Sequence, residues 1–281
     1  MGSRTIIALL MKYALTALIV GVLAASLLAE DKPSADEALP DLHTAVLRGR
    51  HIQADLLLRS GADPEQTDSL GASALHYAAG AGQTKALEIL LKYGADPNMK
   101  MKDGATPLHV AARYGKRDCV DILIAAGAKP DLRGANGWTP LHIAASAGHA
   151  DLVDLLVAAK ADIDALDADG KSPLLLALES GREATVKILL KRGADWRRAD
   201  KKGHSPLQVA IDRKQALIVH ILLELGADAN MQFPDGRAAL HAAVEAEDER
   251  LVRLLLQYEA EPDPLSKYLP TFIATRCRKE D

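Results

Sequence analysis

The sequence is poor in aromatic residues and carries no strong charge of either sign. Phe, Trp and Tyr make up only 4% of its 281 residues, whereas 48% are hydrophobic. This composition fits a core of Leu, Ala and Val close-packed between thin helices. Lys and Arg number 34 against 38 Asp and Glu, which leaves a net charge of −4. A chain so close to neutrality has no general attraction to nucleic acid or to anionic membranes.

Signatures of catalysis are also missing. The chain contains no G-x-S-x-G string, no H-E-x-x-H string and no glycine loop that could cradle a phosphate. Neighbouring carboxylates do occur, as at Asp167 and Asp169, but they lie in predicted turns, where Asp favours local hydrogen bonds to the backbone. We therefore predict no catalytic residues, no cofactor and no enzymatic activity.

What the chain does contain is a glycine that recurs every 33 residues without insertion or deletion. The first glycine column consists of Gly71, Gly104, Gly137, Gly170, Gly203 and Gly236. A second column keeps the same step and consists of Gly61, Gly94, Gly127, Gly193 and Gly226, with Lys160 and Glu259 at the two remaining positions. Such a period means one supersecondary unit copied in tandem. Because stacked repeats contact only their neighbours and expose a long concave surface, the period favours a binding scaffold over an enzyme.

Each unit predicts two antiparallel helices followed by a hairpin-like finger. In the unit that ends at Gly127, Thr106 can cap the first helix and Pro107 suits its first turn. Gly115 suits the left-handed end of that helix, and Gly127 ends the second. The fold class predicted is an all-α solenoid of seven helix pairs, with strand pairing only in the fingers. The predicted helices are residues 73–81, 84–93, 106–114 and 117–126, and then every 33 residues.

Two strings in these units resemble the ankyrin repeat. They are Gly94-Ala95-Asp96-Pro97-Asn98 and Asn136-Gly137-Trp138-Thr139-Pro140-Leu141-His142-Ile143-Ala144-Ala145. The resemblance covers residues 37–267, in units of about 37–69, 70–102, 103–135, 136–168, 169–201, 202–234 and 235–267. The first unit departs from the pattern at Pro40-Asp41-Leu42-His43, and Leu175 and Gln208 replace the usual His. Residues 268–281 are predicted to cap the last pair through Phe272 and Ile273.

Five histidines occupy one position of the repeat: His43, His76, His109, His142 and His241. Zinc ligands must lie about 2 Å from a common centre, whereas equivalent atoms of stacked helices lie about 10 Å apart. We therefore predict no metal site. An imidazole can instead hydrogen-bond a turn with one nitrogen and the neighbouring backbone with the other, so these histidines are predicted to be structural.

The resemblance implies that a protein partner binds to the finger tips and the first-helix face of a monomer. Trp138 follows a turn glycine where other units have small or charged residues, and large aromatics are enriched at interface hot spots. Tyr114 and Arg113 are predicted to neighbour Trp138, and Glu179, Asp212 and Glu245 to make the far half acidic. The alternative is that Trp138 only packs on its neighbouring finger. The full set of partner-binding candidates is Trp138, Tyr114, Arg113, Lys102, Lys171 and His204.

One finger is strongly basic. Residues 196–202 contain Trp196 and four cations, Arg197, Arg198, Lys201 and Lys202. A solvated finger tip, a patch for an acidic protein and a nucleic-acid site are all compatible with this run. The solvated tip is favoured because no second basic stripe accompanies it, and no nucleic-acid partner is predicted.

The N-terminal segment has a different composition. Arg4 and Lys12 precede an uncharged run from Tyr13 to Ala29, which is typical of a secretory signal peptide. Residues 1–29 are predicted to be this peptide or a membrane anchor, with a buried helix as a further alternative, and residues 30–36 a linker. Cleavage is expected after Ser26 or Ala29. Both main alternatives place the repeats outside the cytoplasm, in the periplasm of a bacterium or exported.

The two cysteines neither contradict nor establish this location. Cys119 is predicted to lie in the core of a second helix, and Cys277 lies in the tail, almost five units away. Stacked units therefore separate them well beyond the roughly 7 Å between Cα atoms that a disulfide allows. The sequence as a whole predicts a non-enzymatic scaffold that holds another protein of the cell envelope. A secreted effector that binds host proteins and a self-associating structural element remain alternatives.

Overall fold

The computed structural model describes residues 42–261. The predicted signal peptide or anchor, the linker, the C-terminal cap and Cys277 lie outside these residues. The described part contains fourteen α-helices and a single turn of 3₁₀ helix at Ala135–Gly137. No β-strand forms within it, although isolated bridges join Thr67 to Ser73 and Gln232 to Ala238. None of these helices combines the length and the apolar composition needed to cross a bilayer.

The helices divide between two compact units, which meet between Lys129 and Pro130 in sequence. The first unit contains α1 (Leu42–Leu47), α2 (His51–Arg59), α3 (Ala74–Ala81), α4 (Thr84–Lys92), α5 (Pro107–Arg113) and α6 (Arg117–Ala125). The second contains α7 (Pro140–Ala147), α8 (Ala150–Ala158), α9 (Pro173–Glu179), α10 (Glu183–Lys191), α11 (Pro206–Asp212), α12 (Ala216–Glu224), α13 (Ala239–Glu245) and α14 (Glu249–Gln257). These helices fall within about a residue of the predicted ones, and the all-α prediction is confirmed.

Helices of each unit pack in two parallel rows. In the first unit α3 lies between α1 and α5, and α4 lies between α2 and α6. In the second unit the row of first helices is α7, α9, α11 and α13, and the row of second helices is α8, α10, α12 and α14. Alanines such as Ala78 and Ala111 are fully buried on the first helices, so neighbouring backbones approach closely. Leucines of the second helices, such as Leu90 and Leu156, fill the space between the rows.

Five of the first helices, α3, α5, α7, α9 and α11, begin after a Ser or Thr that caps the helix. Thr106 has an extended backbone and forms a reciprocal cap with His109, while Pro107 occupies the first turn. The same arrangement joins Ser73 to His76 and Thr139 to His142. The predicted helix started at 106, but Thr106 is the cap itself, so the helix begins one residue later. An N-terminal cap of this kind contributes about 1 kcal/mol to helix stability.

The histidines at these caps also bond to the following repeat. Nε2 of His76 lies 3.3 Å from the carbonyl oxygen of Ala105, and Nε2 of His142 lies 3.2 Å from that of Lys171. His43 contacts the carbonyl of Ala72 in the same way, at 3.2 Å. Burial lowers the pKa of His76 to about 4 and also lowers that of His142. Both rings are therefore neutral at pH 7, and each connects a helix start to the next finger.

The glycines of both columns have a positive φ, which is the left-handed backbone conformation. Gly127 has a φ of 90°, and the other glycines of its column are similar. Lys160 and Glu259, which occupy two positions of that column, keep a positive φ of 66° and 60°. The fold therefore imposes the same turn on residues that adopt it less readily.

Candidate functional site

Trp138 lies on a finger of the second unit, immediately before the cap of α7. Its ring is nearly parallel to that of His142, with the centroids 6.5 Å apart and the planes 18° apart. Its indole Nε1 donates a hydrogen bond of 3.0 Å to Oδ2 of Asp167 on the next finger. Trp138 is half-buried. The ring therefore does pack on its neighbouring finger, and part of it stays accessible.

Asp167 holds the tryptophan in a fixed position. Its other carboxylate oxygen accepts hydrogen bonds from the backbone N–H groups of Asp169, at 2.9 Å, and Lys171, at 2.8 Å. The carboxylate is buried and cannot rotate without breaking these bonds. Trp138 is thus immobilised before any partner arrives, which reduces the entropy that a contact through its ring would lose.

The sequence treated Asp167 only as a turn residue and missed this role. Trp138 and Asp167 are 29 positions apart, the same separation as His142 and the carbonyl of Lys171. The equivalent separation joins His76 to Ala105. A repeat of 33 residues therefore places residue i of one finger beside residue i+29 on the next. That offset could have identified the pair from the sequence.

Charged candidates of the second unit are largely tied to carboxylates. Nζ of Lys171 lies 2.7 Å from Oε2 of Glu179, and Arg237 contacts Glu245 at 3.0 Å and Asp212 at 3.6 Å. The predicted acidic row of Glu179, Asp212 and Glu245 is therefore partly neutralised by cations that follow the turn glycines. The surface alternates in charge instead of being uniformly acidic.

His204 contacts the buried carboxylate of Asp200, with Nδ1 3.0 Å from Oδ2. Burial alone raises the pKa of Asp200, but hydrogen bonds from the backbone and ring of His204 outweigh it, so that its pKa lies below the usual range. Asp200 is therefore a carboxylate at neutral pH, and it occupies the position that Asp167 has one repeat earlier. His204 occupies on its finger the place that Trp138 has two repeats earlier.

The remaining candidates belong to the first unit. Lys102 is exposed on a finger, and its N–H donates to the carbonyl of Leu70 at 3.1 Å. Arg113 ends α5 and Tyr114 follows it, and both are half-buried. The tyrosine ring packs against Gly80, where an added Cβ would lie 3.4 Å from Cδ2 of the ring. Burial raises the pKa of the Tyr114 hydroxyl. Grouping of these residues with Trp138 stays a prediction.

The basic finger is ordered by contacts with backbone and aromatic groups. The Arg197 guanidinium lies 4.2 Å above the centroid of the Trp196 ring. Nζ of Lys201 donates to the carbonyl of Ala168 at 2.8 Å, and Arg198 reaches the carbonyl of Asp164 at 3.4 Å. The finger that these two cations contact carries Asp162, Asp164, Asp167 and Asp169. Its carboxylates screen the basic run, which favours the solvated finger over a site for a polyanion.

Comparison with known proteins accounts for this architecture. A family model described as ankyrin repeats in three copies matches residues 42–134, 127–200 and 194–267. The chain belongs to the ankyrin-repeat family. The crystal structure of the human ASB11 ankyrin repeat domain is similar, with 29% sequence identity and a TM-score of 0.69. The alignment covers 80% of this ankyrin-repeat chain and all of that domain. The comparison with curated proteins gave no match.

Family membership sets the class of function. Ankyrin repeats form a non-enzymatic fold that binds protein partners, and the comparisons indicate no enzymatic family. Among the described residues, no three His, Cys, Asp or Glu side chains are grouped so that they could hold a metal ion. Cys119 is buried, and burial raises the pKa of its thiol to about 11, which makes it unreactive at neutral pH.

Proposed function

We propose that this protein is a scaffold that holds another protein of the cell envelope on its fingers and first-helix face. The contact is centred on Trp138, with Lys171 and His204 on the following fingers of the second unit. Arg113, Tyr114 and Lys102 of the first unit are proposed as partner contacts from the sequence alone. A partly accessible tryptophan held by Asp167 is the observation that supports this most directly. Binding energy in protein interfaces concentrates in a few such aromatic anchors.

The alternating charges suggest how a partner is selected. Lys171 forms an ion pair with Glu179, and Arg237 forms one with Glu245. A partner with charge of one sign would have to break these pairs, whereas a partner with a mixed or neutral surface would not. Such pairs contribute to specificity and to the rate of association more than to affinity.

Crosslinking in envelope extracts, followed by capture of the tagged full chain, tests the proposal. A distinct partner is expected, and Trp138→Ala should weaken its capture by more than about 1 kcal/mol, or roughly fivefold. Because the indole also bonds to Asp167, Trp138→Ala is expected to lower the melting temperature as well. Trp138→Phe separates the effects, since it keeps an aromatic ring and loses only the hydrogen bond to Asp167.

Trp196→Ala provides the matched control. Trp196 is also half-buried on a finger of the second unit, but its ring supports Arg197. Its removal should leave capture unchanged. If Trp138→Ala captures the partner as well as the wild type does, Trp138 is only a packing residue. If no protein other than the chain itself is recovered, the self-associating alternative replaces the scaffold.

Location is proposed from the sequence of residues 1–29. A reporter fused to the C-terminus should be exported across the inner membrane, and sequencing of the mature N-terminus distinguishes cleavage from anchoring. A start at Leu27 or Glu30 indicates release, and retention of Met1 indicates an anchor. A reporter that stays in the cytoplasm would contradict the envelope assignment. Detection outside the cell would favour the secreted effector.

A further inference from the structure

The outer face of α12 carries a row of apolar side chains. Leu217, Ile221 and Leu225 follow one another at intervals of four residues, which places them on one side of the helix. Leu217 is 47% exposed and Leu225 is 45% exposed, and Ile221 between them is half-buried. Contiguous exposed apolar side chains mark interaction sites in soluble proteins. We call these three residues the α12 stripe.

Among the second helices that the structure describes, α12 alone has large apolar side chains at all three positions of the stripe, other than those with an aromatic ring at the third. The helix α2 shares the first two, as the exposed Ile52 and Leu56, but has Ser60 at the third. In the other five second helices the first position is Lys, Asp, Ala or Arg. Because those helices stack without a large apolar residue there, stacking does not explain the stripe.

Contacts between neighbouring second helices show which way the stripe faces. Oδ1 of Asp154 on α8 lies 2.7 Å from Nε of Arg192, which follows α10. One repeat later, Lys187 on α10 and Leu225 occupy the same two positions. By this equivalence Leu225 lies beside Lys187, and the stripe runs along the α10 side of α12.

The opposite side of α12 faces α14. Nδ1 of His220 lies 3.4 Å from the hydroxyl of Tyr258, which follows α14. Glu224 is one turn further along that side of α12, with Oε1 3.4 Å from Nε2 of His220. Arg250 lies two turns before Tyr258, on the side of α14 that faces α12.

Charges flank the stripe in a diagonal pattern. On the α10 side Glu183 begins the helix and Lys191 ends it. On the α14 side the order is reversed, with Arg250 near the N-terminal end of the face and Glu224 at the C-terminal end. Lys191 and Arg250 are exposed, and neither forms an ion pair within residues 42–261.

We propose that a second copy of this chain covers the α12 stripe, with the two α12 helices antiparallel about a two-fold axis at Ile221. Leu217 of each copy then packs on Leu225 of the other, because both are four residues from the axis. Such an interface is closed, since the same patch is used on both copies. The resemblance to ankyrin repeats implied a monomer, and this pairing departs from that expectation. It uses the second helices, so it does not depend on partner binding at the fingers.

The same rotation matches the flanking charges. It brings Glu183 of one copy beside Lys191 of the other, and Glu224 beside Arg250, and each pair occurs twice. An anionic membrane or a partner with charge of one sign would instead meet like charge at two of the four corners. The diagonal pattern therefore favours a second copy as the occupant.

The size of the face sets the strength of the dimer. Three helices about 10 Å apart and about 13 Å long present roughly 400 Å² per copy, about half of what a stable dimer buries. The dimer is therefore expected to be weak and reversible.

Sedimentation equilibrium of the full chain tests the pairing. The wild type should change from monomer to dimer as its concentration rises from about 1 µM to about 300 µM. Leu217→Glu should weaken the dimer at least about tenfold. Ile52→Glu, at the same repeat position of α2, is the matched control and should have no effect. A monomer throughout, or association that Leu217→Glu leaves intact or that Ile52→Glu weakens equally, overturns the proposal.

A charge exchange tests the antiparallel arrangement at low ionic strength. Glu183→Lys and Lys191→Glu should each weaken the dimer about threefold, and the double variant should recover most of the loss. The two residues are eight positions apart on one helix, about 12 Å, so the recovery would come from a contact between chains. Additive losses overturn the antiparallel pairing. Loss of partner capture with an intact dimer would contradict the scaffold alone.

Discussion

Some repeats have a histidine at the start of the first helix, and others have a different residue there. Comparing the two kinds shows which of the hydrogen bonds at the helix start depend on the histidine. At α3 and α7 the histidine caps the helix and bonds to the next repeat. At α9 and α11, Ser172 and Ser205 still accept hydrogen bonds from the backbone three residues on, while Leu175 and Gln208 take the place of the histidine. The helix start therefore survives without histidine, and what changes is the bond to the following finger.

The two replacements are not equivalent. Leu175 is 1% exposed and leaves no polar atom to satisfy. Gln208 is also buried, but its Oε1 has no hydrogen-bond partner among the described residues. A buried acceptor without a partner is costly, whereas an apolar side chain of similar size is not. The helix start tolerates an apolar residue at this position better than a polar one that cannot reproduce both bonds of the histidine.

The largest expected difference between the two kinds of repeat appears on acidification. The pKa of His76 is about 4 in the folded state, against about 6.5 in an unfolded chain. The unfolded state therefore binds a proton that the folded state does not, and stability is lost as the pH falls from 6.5 to 4. The loss attributable to His76 is about 3 kcal/mol over this window. Urea unfolding of the wild type at several pH values measures it.

His76→Gln should remove that part of the pH dependence, because glutamine does not titrate. His142→Gln should also reduce the pH dependence, because burial lowers the pKa of His142 as well. An unchanged acid loss in the His76→Gln protein would mean that other groups, such as the buried carboxylates, cause it.

A smaller effect is expected from the cap residues themselves. Thr139→Ala should cost about 1–2 kcal/mol, because it removes the acceptor for the backbone and leaves Nδ1 of His142 with one partner fewer. Ser172→Ala, in a repeat without the histidine, should cost closer to 1 kcal/mol. Urea unfolding of both variants gives the difference. Equal losses would show that the histidine adds nothing to the cap.

Gln208→Leu is expected to stabilise the protein by about 1 kcal/mol, since it removes a buried unpaired oxygen and copies Leu175. Gln215→Leu is the matched control. Its Oε1 is also unpaired, but its Nε2 donates to the carbonyl of Leu178 at 2.8 Å. That variant should lose stability because the carbonyl would be left without this donor. Thermal unfolding compares the two, and stabilisation by both would contradict the role assigned to the Leu178 bond.

Much of this structure could be predicted from the repeat alone. The glycine columns fix the period, and the Thr-Pro-Leu-His string of α5 and α7 fixes where the first helix starts within it, because the cap and the proline are local features of the chain. Trp138 shows where local reasoning fails. Its environment depends on Asp167, which is 29 positions away at the far end of the same 33-residue unit and lies on the next finger. Likewise, the contact of Arg237 with Asp212 depends on how neighbouring first helices pack.

The smallest effect on stability is expected at Lys160, which stands at a position that is glycine in most other repeats. Its φ of 66° is costly for a side chain with a Cβ atom, whereas glycine adopts it readily. Lys160→Gly should therefore stabilise the protein by about 0.5–1 kcal/mol, after allowance for the extra freedom of glycine in the unfolded chain. The same substitution inside a helix, Lys187→Gly in α10, should destabilise it by about 1 kcal/mol. Urea unfolding of both variants tests whether replacing lysine by glycine stabilises the protein at a positive φ and destabilises it at the negative φ of a helix. Destabilisation by both would mean that chain entropy outweighs backbone strain at this turn.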